Sequence, residues 1–258
     1  MSLIILSAVM IAQNEEARIA RALERLRWVD EILVVDGGSQ DRTIEIGRKH
    51  GATVLVHPWD GFSKQRTFAI SQAKNDWILI VDADEAVTPE LEREIRGILQ
   101  KTPEIMGYQI RRRAFFLDRE VRHSGWSPDY QLRLFDRRCV EVEDLLVHEG
   151  VRINGPSGKL LSCIEHHTVL SLEDYLVRMN RYTTLEAEQR FAHNAKQVSL
   201  LKLIGSPIGE FPKVYCARGG FLDGWRGLLI SAYSALYRFL LYAKLWHLQN
   251  SLPKIPSQ

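Results

Sequence analysis

Cysteine is scarce in this chain. The three present among 258 residues, Cys139, Cys163 and Cys216, match no zinc-ligand spacing, and an odd number argues against a disulfide framework. They read as reduced, structural thiols of a cytoplasmic protein. No G-x-G-x-x-G opens a helix, which disfavours a dinucleotide-binding fingerprint, and no G-x-x-x-x-G-K-[ST] occurs, which disfavours a P-loop. No run of about 20 residues is free of charge, so a conventional membrane span is not expected. The apolar start from Met1 to Leu6 lacks a basic leader, and Gln13-Asn14-Glu15-Glu16 soon follows. It reads as a first β-strand rather than a signal peptide. Internal repeats and low-complexity tracts are absent too.

What is present is ample material for a core: 45% hydrophobic residues beside 26% charged ones, in a mass of 29.7 kDa. The net charge of +2 is small but unevenly spread. Residues 1–100 hold 12 Lys+Arg against 16 Asp+Glu, and residues 101–258 hold 22 against 16. An acidic front half suits a metal or carboxylate site, and a basic back half suits phosphate or a membrane surface. Ordinary surface charge is the plain alternative.

The first hundred residues alternate strand and helix. Buried strands are predicted at Leu3 to Ile11, a nearly continuous apolar run, and Glu31 to Asp36, with a short third strand at Thr53 to Val56 and a fourth at Trp77 to Val81. Helices are predicted between them, over 15–27, 41–50 (closed by Gly51) and 62–73. Thr88 as N-cap and Pro89 at the first helical position open another. Such alternation predicts a mostly parallel α/β sheet with helices on both faces, which binds ligands at the carboxyl ends of its strands. Polar clusters stand at three of those ends: Gln13-Asn14-Glu15, Asp36-Gly37-Gly38-Ser39 and Asp82-Ala83-Asp84-Glu85. Beyond residue 101 strands are expected at Met106 to Phe116 and Gln131 to Phe135. A helix from Ser171 to His193, a Gly/Pro-rich stretch over 205–224 and an apolar helix from Gly227 to Leu248 follow.

Asp82 and Asp84 cannot both be buried without compensation, which a hard divalent cation supplies. A solvated acidic turn capping the next helix is the simpler account. Asp36, before a glycine pair, can accept from the imide N–H of a uracil or merely shape a tight turn. Arg111, Arg112 and Arg113 fall on a predicted strand that divides them between faces. With Arg133 they are expected to line a groove for a phosphorylated acceptor, and no nucleic-acid partner is expected.

Taken in order, Val9-Met10-Ile11-Ala12-Gln13-Asn14-Glu15-Glu16, Asp36 to Thr43, Lys64-Gln65-Arg66 and Asp82-Ala83-Asp84 resemble family 2 glycosyltransferases of the GT-A fold. His123 to Asp129, Gln131 to Phe135, Val147-His148-Glu149 and Gly219 to Gly224 are similar to the branch that includes lipopolysaccharide core β-1,4-glucosyltransferases. The resemblance implies an inverting transfer of a hexose, glucose for preference, from a UDP-sugar to a glycolipid or oligosaccharide acceptor, with Mg²⁺ or Mn²⁺ as cofactor. By the same resemblance, Ala12, Asn14 and Glu16 border base and ribose, and Asp36 holds the uracil edge. Arg66 meets base or diphosphate, with Lys64 in the same donor-binding set. Asp82 contacts ribose or sugar, and Asp84 binds the metal. His148 is a third metal ligand or a phosphate contact. Glu149 is the expected base, with Asp129 the alternative. Gly37 departs from the family, many of whose members carry a second Asp there.

The expected organisation is a catalytic domain over 1–168, divided near residue 100 into donor and acceptor halves, and a helical extension over 169–258. The extension's apolar and basic character fits the inner face of a cytoplasmic membrane, or else packing on protein. A nucleotidyltransferase and a non-catalytic sugar-nucleotide-binding protein are the rival functions. The oligomeric state is not legible.

Overall fold

The computed structural model describes residues 4–101, 103–142, 151–153, 155–193 and 195–251. Two compact units emerge, one of Met1–Arg113 with Pro128–Thr168, the other of Ala114–Ser127 with Val169–Gln258.

The first unit begins with β1 (Leu6–Ala12), α1 (Ile19–Glu24), β2 (Glu31–Asp36), α2 (Thr43–Lys49), β3 (Thr53–Val56), α3 (Phe62–Gln72) and β4 (Trp77–Ile80). Then come β5 (Glu85–Val87), α4 (Pro89–Leu99), β6 (Gly107–Phe116), β7 (Arg119–Glu120), β8 (Asp129–Asp136), β9 (Val140–Val142), β10 (Val151–Ile153) and β11 (Ser157–Val169). The last residues of β6 and all of β7 fall in the second unit. Strands β3, β2, β1 and β4 run parallel in that order. The sheet continues through β8, β6, β11 and β5, with antiparallel pairings of β4 to β8, β6 to β8 and β11 to β5.

Side chains alternate across the parallel strands, as the two-residue period requires. Leu6, Ala8, Met10 and Ala12 of β1 join Leu23 of α1 and Leu91, Ile95 and Leu99 of α4 on one face. Val9 of β1 joins Ala69 and Ile70 of α3 and Phe135 of β8 on the other. Both faces are therefore covered, which is why these strands read as unbroken apolar runs. α2 ends as its glycine predicts. Gly51 has φ +84°, and the N–H groups of Gly51 and Ala52 return to the carbonyls of Arg48 and Gly47. Thr88 caps α4 by accepting from the Leu91 N–H at 3.2 Å.

Beside those residues of β6 and β7 the second unit holds three helices longer than ten residues: α5 (Leu172–Ala192), α6 (Leu200–Pro212) and α7 (Gly224–Ser251). Ser171 caps α5 through the Asp174 N–H. The stretch read as merely Gly/Pro-rich holds most of α6 and the turns leading to α7. Gly227 of α7 lies so close to Gly220 that a Cβ there would stand 1.7 Å from the Gly220 carbonyl oxygen.

Candidate functional site

The three polar strand ends predicted from sequence sit at the carboxyl edge of β1, β2 and β4. The first two are bonded to each other. Gly37 N–H donates to the Ala12 carbonyl at 2.8 Å, and Gln13 Nε2 returns to the Gly37 carbonyl at 3.0 Å. Asn14, at φ +57°, donates from its N–H to Ser39 Oγ and accepts from the Gln40 N–H, both at 2.8 Å. Glu16 accepts from Arg42 through the backbone N–H and the guanidinium, and its own N–H donates to Asp41.

Asp36 is fully buried inside this turn, accepting from the N–H groups of Gly38 and Ser39 and from the Ser39 hydroxyl. Its visible work is therefore to hold the loop in shape. The indole of Trp59 lies against Gly37, where an added Cβ would meet Cε3 at 2.6 Å. Lys64 is exposed and paired with Asp60 at 2.6 Å.

The third end is a charged network. Val81 continues the ladder by donating to the Val9 carbonyl. The chain then turns, with Glu85 N–H bonded to the Asp82 carbonyl and Asp82 N–H bonded to Glu85 Oε2 at 3.0 Å. Asp82 receives one guanidinium on each carboxylate oxygen, Arg66 at 3.1 Å and Arg133 at 2.6 Å. Arg133 also reaches Glu85 at 2.6 Å. Buried at 4% exposure, Arg133 is a cross-link beneath the turn and not the groove-lining residue expected from sequence. β8 is a central strand, and its side chains become buried from Arg133 onward. Arg112 donates to Asp129 from Nε at 2.8 Å and stands 3.7 Å from Glu85, while Arg113 pairs with Glu165.

The electrostatics follow from this placement. Burial works to push the Asp82 carboxyl up, and the guanidiniums of Arg133 and Arg66 override it, holding the group well below the usual carboxylate range. Glu85, fully enclosed, is pushed up by burial in spite of Arg133. For Asp129 burial again works upward, and Arg112 outweighs it and lowers the value. A carboxylate so held is a weak proton acceptor.

Asp84 faces a partner that the sequence reading missed. β11 pairs with β5 so that His166 stands opposite Glu85, and the His167 N–H bonds to the Asp84 carbonyl at 2.8 Å. His166 Nε2 then lies 3.4 Å from Asp84 Oδ2. Burial disfavours its imidazolium, but the bond to Asp84 and that carboxylate's charge prevail and raise the value. A carboxylate oxygen and an imidazole nitrogen side by side suit a divalent transition ion. Among the described residues no three His, Cys, Asp or Glu side chains converge to hold a metal unaided. His148 and Glu149 lie outside the described residues. The only hint of His166 in sequence was the adjacent histidine pair in an alternating run from Leu160 to Val169.

The α/β sheet carries an acidic turn and a histidine at the carboxyl edge of its parallel strands, where such sheets bind their ligands. The family model described as Glycosyl transferase family 2 matches residues 7–151. An uncharacterized glycosyltransferase of Rickettsia typhi is 31% identical over 252 residues, covering 93% of this chain and 86% of that protein. The lipopolysaccharide core biosynthesis glycosyltransferase LpsC of Rhizobium meliloti is 29% identical over 268 residues, covering 97% and 96%. Among solved structures, residues 1–349 of TarS from S. aureus align over 97% of this chain and 93% of that one, at 15% identity and a TM-score of 0.49. The chain belongs to glycosyl transferase family 2.

Proposed function

We propose that this glycosyltransferase moves a hexose, glucose in our reading, from a UDP-sugar to a sugar hydroxyl of a lipid-linked or lipopolysaccharide core acceptor, with inversion at the anomeric carbon. The observation that carries it is the Asp84–His166 pair at 3.4 Å, set beside the Arg66–Asp82–Arg133 network at the carboxyl edge of the sheet. The near full-length similarity to a lipopolysaccharide core glycosyltransferase supports the acceptor class.

Asp84 and His166 would hold Mg²⁺ or Mn²⁺, with His148 as a further ligand. A dication there supplies charge neutralisation for a departing diphosphate. The joined loops of Ala12, Asn14, Glu16 and Asp36 present a rigid wall for base and ribose, and Lys64 and Arg66 supply cations for the diphosphate. Asp82, held ionised by two guanidiniums, is an acceptor for ribose or sugar hydroxyls. The acceptor oxygen attacks the anomeric carbon from the face opposite the UDP oxygen. That carbon–oxygen bond breaks with its electron pair leaving on UDP, and the hydroxyl proton passes to Glu149. Asp129 is the poorer choice for this base because Arg112 holds its carboxylate.

Residues 1–168 are assigned to catalysis and 169–258 to association with the inner face of the cytoplasmic membrane. Titration calorimetry with UDP and UDP-glucose, with and without Mn²⁺, tests the donor site. Product analysis on a lipopolysaccharide core acceptor tests the reaction. UDP release is expected. Pyrophosphate release points instead to nucleotidyl transfer, and binding without turnover on any acceptor to a sugar-nucleotide-binding protein.

A further inference from the structure

α6 is amphipathic the wrong way round for a helix packed on a water-soluble protein. Leu200, Leu201, Ile204 and Ile208 fall on one side of it at helical spacing, and all four are exposed, Leu201 at 83% and Ile208 at 68%. No residue of α6 is fully buried. Its covered side carries both Leu203 and Glu210. The Glu210 side chain is only 12% exposed and pairs with Lys213 at 3.2 Å and Arg238 of α7 at 3.5 Å. Leu203, on that inner side, packs with Leu241, Tyr242 and Leu245 of α7. The turn that follows adds Phe221 and Leu222, and the first turn of α7 adds Trp225, each more than half exposed. An apolar surface of this extent needs an occupant.

The charges of the segment identify it. Residues 196–258 carry 8 Lys+Arg and 2 Asp+Glu. Both acids are engaged within the unit, Glu210 as above and Asp223 by the N–H groups of Arg122 and His123, the His123 ring and the Ser124 hydroxyl. Lys202, Lys213 and Arg218 remain at the surface. Outward apolar side chains with the exposed Lys202 and Arg218 in the same segment, and Arg226 stacked on the exposed Trp225 ring at 4.3 Å, match an anionic lipid headgroup layer.

We propose that the outward face of α6, with Phe221, Leu222 and Trp225, inserts into the headgroup region of an anionic bilayer and holds the chain on it. This rests on the reading that the enzyme works at a lipid surface, and it places the contact on α6. The stretch from Gly220 to Ser251 is long and apolar enough to cross a membrane. However, α7 is tied along its length to α5: Lys244 donates to the Asn180 carbonyl and to the Thr183 and Thr184 hydroxyls, and Tyr237 donates to Glu186. α7 therefore packs on α5 along one side, while its Leu228, Phe239 and Trp246 stay part exposed; α6, with no fully buried residue, lies in the interface.

The test is flotation of the full chain with phosphatidylcholine vesicles, with and without phosphatidylglycerol. Wild type should float with the anionic vesicles, less so as salt rises. L201Q/I208Q should lose vesicle partition by roughly tenfold or more while its melting temperature holds. Ile204→Gln alone should show a smaller loss. Equal flotation of L201Q/I208Q and wild type overturns the proposal. So does an absence of flotation, and if wild type then dimerises while L201Q/I208Q does not, a second copy covers the face. UDP binding measured without vesicles is independent of these arms. Its failure in wild type would strike the transferase reading and leave the lipid result standing.

Discussion

His166 Nε2 lies 3.4 Å from Asp84 Oδ2, brought there by the antiparallel pairing of β11 with β5. Two residues far apart in the chain thus form a carboxylate–imidazole contact at the turn after β4. Asp84→Ala and His166→Ala are each expected to weaken Mn²⁺-dependent UDP binding by roughly 10- to 100-fold, the scale for loss of groups at metal sites. Metal-free UDP binding should change little. Calorimetry at two Mn²⁺ concentrations reads this directly, and unchanged Mn²⁺ dependence in both variants would remove the pair from the donor site.

Arg133 touches Asp82 and Glu85 with one nitrogen and is almost completely buried. Arg133→Met leaves the enclosed Glu85 and the partly exposed Asp82 without their shared cation, so a loss of about 3 kcal/mol in urea unfolding is expected. Arg133→Lys keeps the charge but not the planar fork and should fall between the variant and wild type.

The Arg112–Asp129 pair makes a prediction in acid. Burial works to raise the Asp129 carboxyl, Arg112 overrides it, and the folded value lies below the ordinary 3.8. The unfolded chain then binds the proton first. Stability from this pair is complete above that ordinary value and is lost as pH falls through the folded one. Urea midpoints measured at descending pH should show a shallower acid decline for Asp129→Asn than for wild type. Parallel curves would mean the pair contributes nothing measurable.

Two glycines should respond in opposite directions to alanine. At Gly227 the added methyl meets the Gly220 carbonyl at 1.7 Å, whereas at Gly97, exposed in α4, nothing lies within 4 Å. Gly227→Ala is expected to cost about 3 kcal/mol or more, as overpacking does. Gly97→Ala should gain about 0.5–1 kcal/mol from helix propensity. Thermal melts of the two variants compare them.

In the parallel half of the sheet β1, β2 and β4 were legible because they are buried on both faces, and β3, at the edge, by its short apolar run alone. Glu31–Asp36 and Thr53–Val56 begin and end where the apolar runs do. The caps Thr88 and Ser171 were legible for a local reason too: each bonds a backbone N–H three residues on. β5 escaped notice because a three-residue strand carries no period, and its existence depends on β11. His166 was missed with it, since its partner is set by pairing and not by spacing. Arg133 was misplaced because an alternating strand says which residues share a face but not whether that face is wet. α6 was hidden by Pro207 and Pro212 and by an apolar side that covers no core.

The indole of Trp59 occupies the space a side chain at Gly37 would need. Positions 37 and 59 are therefore a single unit of variation. A homologue bearing aspartate at the first must have swung aside or shed the bulky aromatic at the second. The two substitutions should arrive together in evolution, and grafting either one alone into this chain should distort the loop.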